Sequence, residues 1–253
     1  AREGIDFFAT PEPLGLKMVE WLDSKPGDSL LEPSAGDGAI ARWMPNDTYN
    51  TVVEPSHDLS PKLMRNVSNA KVVENYFENL DLHNKFDGIV MNPPFGKGGK
   101  TAIEHLAKAY RHLKDGGRII AIVPDGPSCQ KHFDKWMYGD QEAKRKEDRG
   151  VPDAVIMAEI KLPSVTFERA GTSVGTKIYV IDKYTDESTR EIANTEARGP
   201  IELMANNIND LFDSLENRTM PDRIGSMSED TQYSARKAGE AVIQSKEELK
   251  AGI

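Results

Sequence analysis

The stretch Phe86-Asp87-Gly88-Ile89-Val90-Met91-Asn92-Pro93-Pro94-Phe95-Gly96 constrains the fold of this chain more than any other. Gly88 to Met91 is a short apolar run that reads as a buried strand, and the two prolines behind Asn92 remove backbone donors and forbid the sheet from continuing. The strand must therefore end in a rigid, presented loop. In that loop Asn92 offers an amide oxygen, Pro93 a backbone carbonyl and Phe95 a flat aromatic face. Two acceptors and a ring face suit a planar ring that carries an exocyclic amine. Both hydrogens of the amine can be held while the nitrogen lone pair turns towards an electrophile.

Upstream, two further strand ends carry polar groups. Ser29-Leu30-Leu31 is a short strand that runs into Glu32-Pro33-Ser34-Ala35-Gly36-Asp37-Gly38, with a helix expected from about Ala39. A strand followed by a glycine loop and a helix lets backbone approach a ligand at the carboxyl edge of a parallel sheet. The loop lacks both the third glycine of a dinucleotide fingerprint and the lysine of a phosphate loop. Glu32 repels phosphate and suits the ammonium of an amino-acid moiety. Thr51-Val52-Val53-Glu54 is a second strand tipped by an acid placed for a ribose diol, and Lys71 to Phe77 is a third, with Asn75 and Tyr76 suited to the edge and face of an adenine.

The remaining elements are read by periodicity. Thr10 is expected to cap a helix from about Pro11 to Leu22, and a helix over about Thr101 to Leu113 is stopped by Lys114-Asp115-Gly116-Gly117. Arg118 to Pro124 is a buried strand. Residues Lys131 to Arg149 mix both charges without a clean period and read as a long loop, a solvated insertion before a substrate contact. Val155 to Ile160 and Lys177 to Ile181 are strands, and the segment Thr172 to Tyr179 can fold back as an antiparallel hairpin. Phe167 lies in the connection, as a core plug or as one wall of an aromatic clamp. Ile201, Met204, Ile208, Leu211 and Leu215 suggest one amphipathic helix that ends before Pro221, with a second helix within Ser234 to Leu249.

Composition narrows the function classes. A net charge of -9 argues against simple electrostatic adhesion to nucleic acid, so any such contact must be local. Residues 185 to 253 hold fourteen acidic and eight basic side chains, which puts most of the imbalance in the tail. One cysteine, Cys129, rules out an internal disulfide and a cysteine metal cluster, and the five histidines have no zinc spacing, so no metal is expected. His105 and His112 are expected at solvated or rim positions. No apolar run is long enough to span a bilayer, no membrane contact is expected, and a cytoplasmic location in a bacterial or phage-infected cell follows as the expectation.

Taken together, Phe7-Phe8-Ala9-Thr10-Pro11, Leu31 to Gly38 and Asn92-Pro93-Pro94-Phe95 resemble the motifs of the S-adenosylmethionine-dependent DNA N6-adenine methyltransferases in which the cofactor motif comes first. The resemblance covers about residues 5 to 184. It implies an α/β fold, a Rossmann-like methyltransferase with a mainly parallel sheet closed by an antiparallel hairpin, as residues 1–184, followed by a helical extension over 185–253. It further implies S-adenosyl-L-methionine as cofactor, held by Thr10, Glu32, Pro33, Ser34, Ala35, Gly36, Gly38, Glu54, Asn75, Tyr76 and Asn92. Asn92, Pro93, Pro94 and Phe95 become catalytic, and Phe95 and Phe167 flank an extruded adenine of duplex DNA. Asn75 stands where the family more commonly has aspartate. The tail is short for a target-recognition domain, so the resemblance implies a separate recognition subunit, or a larger polypeptide such as a phage or plasmid modification protein. RNA adenine and a protein glutamine amide are alternative acceptors, and a cofactor-binding but inactive assembly module is the reading of another class.

Overall fold

The computed structural model describes residues 9–81, 85–139, 144–145, 148–170 and 174–224. Phe7, Phe8 and the helix expected within 234–249 lie outside the described residues.

Eight strands form one sheet in the order β3-β2-β1-β4-β5-β7-β6-β8. The first five are β1 (Ser29–Glu32), β2 (Tyr49–Val53), β3 (Ala70–Val73), β4 (Phe86–Met91) and β5 (Leu113–Pro124), and the neighbours among them are all parallel. β6 (Ala154–Leu162) and β7 (Thr176–Lys183) form the antiparallel hairpin, with β7 inserted against β5. This is the architecture that the sequence implied. Ile89, Val90 and Ile119 to Val123 are fully buried because central parallel strands are covered on both faces, which explains their continuous rather than alternating apolar pattern. All five parallel strands point their carboxyl ends to one edge, where Glu32, Glu54, Asn75 and Asn92 follow them.

Helix α1 (Glu12–Glu20) precedes β1, and α2 (Ser60–Asn66), α3 (Lys100–Arg111) and α4 (Pro127–Met137) lie in the connections between strands. Several differ from the sequence reading. Thr10 does not cap α1: Pro11 occupies the cap position with no side-chain bond, and the Thr10 hydroxyl is used elsewhere. No long helix follows the glycine loop, only a 3₁₀ turn at Ala41–Trp43. Met44 is extended (φ -60, ψ 135) because the following Pro45 disfavours helical geometry in the residue before it. α3 ends at Arg111, since the His112 carbonyl accepts the Phe86 N–H and draws Leu113 into β5.

The supposed loop after Lys131 begins as helix α4. Cys129, Phe133 and Met137 are its buried face at a four-residue spacing, visible only if the window opens at Pro127. The chain beyond α4 returns at the amino edge of the sheet, where Val151 N–H bonds the Met137 carbonyl and β6 starts at Ala154. The expected helix over Ile201 to Leu215 is broken as well. Ile201–Glu202 is strand β8, paired with β6, and Met204 is 79% exposed. An unanticipated helix, α5 (Glu187–Glu196), is capped by Asp186 through the Thr189 N–H. Of the expected helix only α6 (Ile208–Glu216) is helical, started by Asn207, whose side chain accepts from Asn209 and Asp210. His105 and His112 are buried rather than solvated, with ring centroids 5.7 and 6.4 Å from Phe77.

Candidate active site

The site grows from the carboxyl ends of β1, β2 and β4. β1 delivers Glu32, only 1% exposed, and the chain then turns tightly through Pro33, Ser34, Ala35 and Gly36. Three bonds hold that turn: Ala35 N–H to the Val53 carbonyl at 2.9 Å, Gly36 N–H to Glu54 Oε2 at 2.7 Å, and Gly38 N–H to the Ala35 carbonyl at 2.8 Å. Gly38 has φ +89, and a Cβ there would lie 2.8 Å from Val67 Cγ2, so only glycine fits. Glu54 also accepts Ser56 N–H at 2.7 Å, so one carboxylate ties the glycine loop to the turn after β2.

Charge in this loop is poorly compensated. Burial raises the pKa of Glu32 well above the usual carboxylate range; the Ala41 N–H works against this, while the charges of Asp37 and Glu54 reinforce it. Glu54 is raised too, by burial, against the Ser56 and Gly36 N–H groups. Glu32 Oε2, Ser34 Oγ and Asp37 Oδ1 are buried without a hydrogen-bond partner among the described residues. Buried acceptors of this kind cost free energy unless a donor or cation reaches them. Asp37 belongs to this set although the sequence reading left it out of the candidate binding residues; its place between two loop glycines was the available signal.

β4 delivers Asn92, half-buried, whose Nδ2 donates to Thr10 Oγ1 at 3.2 Å. That bond turns the amide nitrogen towards the start of α1 and fixes which way the oxygen faces. Pro93 is buried, Pro94 half-buried and Phe95 6% exposed. Gly96 then reverses the chain at φ +65, where a Cβ would fall 2.1 Å from Thr101 Oγ1. Thr10, Glu32, Glu54 and Asn92 thus line one edge of the sheet. Asn75 and Tyr76 follow β3 on the same edge, both exposed, with Asn75 Oδ1 accepting the Tyr76 N–H at 2.8 Å. Phe167 sits in a 3₁₀ turn after β6, at the same edge, but its ring is 2% exposed. It stands as a core plug. Among the described residues no cluster of three histidine, cysteine, aspartate or glutamate side chains could hold a metal ion, and no helix is long and apolar enough to cross a membrane.

A parallel sheet closed by an antiparallel hairpin, with an acidic glycine loop after β1 and an acid after β2, defines the class I methyltransferase fold. Residues 18–147 match the methyltransferase small domain family, and the chain belongs to that family. Its cofactor is accordingly S-adenosyl-L-methionine, and the orphaned acceptors of the glycine loop fit the cationic amino-acid end of that molecule. Among solved structures, the chain is similar to a protein of Listeria monocytogenes assigned to the class I S-adenosylmethionine-dependent methyltransferases, at TM-score 0.59 and 15% identity over 85% of this chain and 72% of that one. It is similar also to the type I restriction-modification methyltransferase subunit of Streptococcus thermophilus, at TM-score 0.51 and 21% identity over 70% of this chain and 45% of that one. A protein of Pyrococcus horikoshii assigned as an RNA methyltransferase gives TM-score 0.52 and 16% identity over 71% of this chain and 89% of that one. The chain therefore spans less than half the length of the restriction-modification subunit. No curated protein sequence matches it.

Proposed function

We propose that this methyltransferase transfers the methyl group of S-adenosyl-L-methionine to the exocyclic N6 amine of adenine in DNA, taking the target base out of the duplex. The observation that carries this reading is Asn92 at the carboxyl end of β4, anchored to Thr10 and followed by Pro93, Pro94 and Phe95. The likeness to a type I restriction-modification methyltransferase subunit is in line with it.

When bound, the cofactor supplies a methyl group on a positive sulfonium, already a strong electrophile. The chain's task is to position donor and acceptor in line and to exclude water. Thr10 and Glu32, with the Pro33 to Gly36 turn and Gly38, hold the methionine end; Glu54 takes the ribose, and Asn75 and Tyr76 the adenine. Adenine N6 is a poor nucleophile because its lone pair is delocalised into the ring. Asn92 Oδ1 and the Pro93 carbonyl accept hydrogen bonds from its two N–H groups and favour the pyramidal nitrogen of the transition state; as the N–C bond forms the C–S bond of the sulfonium breaks, and the methylated nitrogen then releases one proton to solvent. Phe95 and Phe167 stack on the extruded base, offsetting a flipping cost of a few kcal/mol. Because both rings are buried here, stacking requires the loops at 93–96 and 164–170 to open around the base.

In this reading residues 1–184 are the catalytic unit and 185–253 its extension. Target recognition comes from a separate subunit or from the remainder of a longer polypeptide, as befits a modification protein of a bacterium, phage or plasmid. The test is transfer of labelled methyl from S-adenosyl-L-methionine to unmethylated duplex DNA, with single-stranded DNA, RNA and protein extract as parallel acceptors. Label recovered as N6-methyladenine in DNA supports the proposal. Label only in RNA or protein overturns the acceptor, and cofactor binding without label in any acceptor overturns the activity of the chain alone.

A further inference from the structure

The carboxyl edge of the sheet is divided by β4 into two halves of opposite charge. On the β1-β2-β3 side the loops carry Glu32, Asp37, Glu54, Asp58 and Glu74. On the β4-β5 side they carry Lys97 and Lys100, with Asp125 directly after β5, and α4, which runs from this edge towards the amino edge, adds Lys131 near its start and Lys135 further along. The turn at 97–100 and the segment 127–135 together carry four lysines and one acid, Asp134, in a chain whose net charge is -9. Asp134 accepts Gln130 Nε2 at 2.8 Å, and the acids that flank these segments are engaged as well: Glu104 lies 3.6 Å from Lys100 and Asp125 3.3 Å from Lys161.

Packing brings the four lysines to one surface. The turn Lys97–Gly99 lies directly on the start of α4, so close that a Cβ at Gly98 would meet Ser128 Oγ at 2.4 Å and one at Gly99 would meet Cys129 at 2.6 Å. Lys131 and Lys135 follow Ser128 at three and seven residues and so share its face, opposite the buried Cys129, Phe133 and Met137. All four lysines are exposed, and among the described residues Lys97, Lys131 and Lys135 make no ion pair. Lys131 and Lys135 are about 6 Å apart along the helix. Lys97 itself follows Asn92 by five residues, through the turn at Gly96.

We infer that Lys97, Lys100, Lys131 and Lys135 form a phosphate-contacting ridge that holds the nucleic-acid strand beside the reacting base. This rests on the proposed nucleic-acid acceptor. The acidic half of the edge receives the cationic cofactor and the basic half the anionic polymer, so the two reactants approach Asn92 from opposite sides. A chain with this net charge has no general attraction for nucleic acid, and a local ridge that leads from the mouth of the site along α4 supplies it where it is useful.

The experiment is fluorescence anisotropy of fluorescein-labelled unmethylated duplex DNA titrated with the full chain at several salt concentrations, together with label transfer by the same preparations. Three variants are compared with wild type: Lys97→Gln/Lys100→Gln, Lys131→Gln/Lys135→Gln, and Lys62→Gln/Lys71→Gln as exposed controls on α2 and β3. Each ridge pair should weaken binding about tenfold at low salt and flatten the salt slope by roughly 0.9 for every phosphate that is no longer neutralised, with melting temperature and the control pair unchanged. The ridge is overturned by ridge variants that bind like wild type with the same slope, by control variants that lose as much, by a wild-type chain with no affinity for DNA at low salt, or by an acidic peptide that binds in preference to DNA. Wild-type binding of this character without methyl transfer would sink the proposed reaction and leave the ridge standing.

Discussion

At the amino edge of the parallel strands Arg118 of β5 and Asp182 of β7 are buried at 0% exposure, while at the carboxyl end of β1 Glu32 is buried at 1%. The two ends treat this burial in opposite ways. Arg118 meets Asp182 in a fork, with Nε to Oδ1 at 2.6 Å and Nη2 to Oδ2 at 2.9 Å, and its Nη1 donates to the Trp21 carbonyl at 2.9 Å. Tyr184 Oη donates to Asp182 Oδ2 at 2.9 Å and accepts the Ile224 N–H at 3.0 Å. Burial pulls the Arg118 pKa down, Asp182 pushes it up, and the balance is upward. Alongside, Arg223 donates to the carbonyls of Asp23 and Asp87 and to Asp28, strapping the segment that follows α6 across this edge. Among the described residues Glu32 gains no offsetting cation, has one oxygen without a partner, and has two neighbouring acids. A buried charge whose partners are all supplied by the chain holds the fold together; one whose partners are withheld awaits a ligand.

The strongest way to break this comparison is at the amino edge. Asp182→Ala leaves the Arg118 guanidinium buried without its counter-ion and should cost about 3–5 kcal/mol in urea denaturation. Replacing both partners, Arg118→Met with Asp182→Leu, should recover much of that loss. Equal losses in the single and double variants would mean that the pair is not the source of the stability.

At the carboxyl edge the same kind of deletion should act with the opposite sign. The folded carboxyl of Glu32 is raised above its unfolded value, so its stability contribution is complete below the unfolded pKa of about 4.3 and is lost as pH rises through the folded value. Glu32→Gln should therefore stabilise the ligand-free protein at neutral pH by about 1 kcal/mol, flatten the fall of melting temperature with rising pH, and weaken cofactor binding at least tenfold. Melting curves across pH with and without S-adenosyl-L-methionine read all three. A variant that is less stable and binds normally would make Glu32 a structural residue like Asp182.

A smaller effect is expected at Thr10. Thr10→Val removes the acceptor that orients Asn92 and should lower kcat about tenfold with little change in the KM for DNA, whereas Thr10→Ser should restore it. Equal loss in both variants would assign Thr10 to packing.

What the sequence disclosed follows the same division. Glu32, Glu54 and Asn92 were legible because each ends an apolar run abruptly, and in a parallel sheet the carboxyl ends of strands share one edge. The amino-edge network was not legible. Arg118 and Asp182 are 64 residues apart, and nothing local distinguishes them from solvated charges. Elsewhere, local signals were overridden by chain connectivity. Pro45 cancelled a helix that the glycine loop suggested, and β6 recruited Ile201 into the sheet although its spacing to Ile208 and Leu211 suited a helix. Phe167 shows the remaining difficulty, since an aromatic ring in a connection reads the same whether it fills the core or waits for a base.

The central claim is that Asn92 acts on the acceptor amine and not on the fold or the cofactor. Its most direct test is one Asn92→Ala preparation measured twice, by calorimetry with S-adenosyl-L-methionine and by label transfer to duplex DNA. The account predicts cofactor binding within about threefold of wild type and a loss of transfer of about 10²-fold to 10³-fold, the scale of removing one transition-state hydrogen bond. Loss of both together, or transfer that survives the substitution, would contradict it.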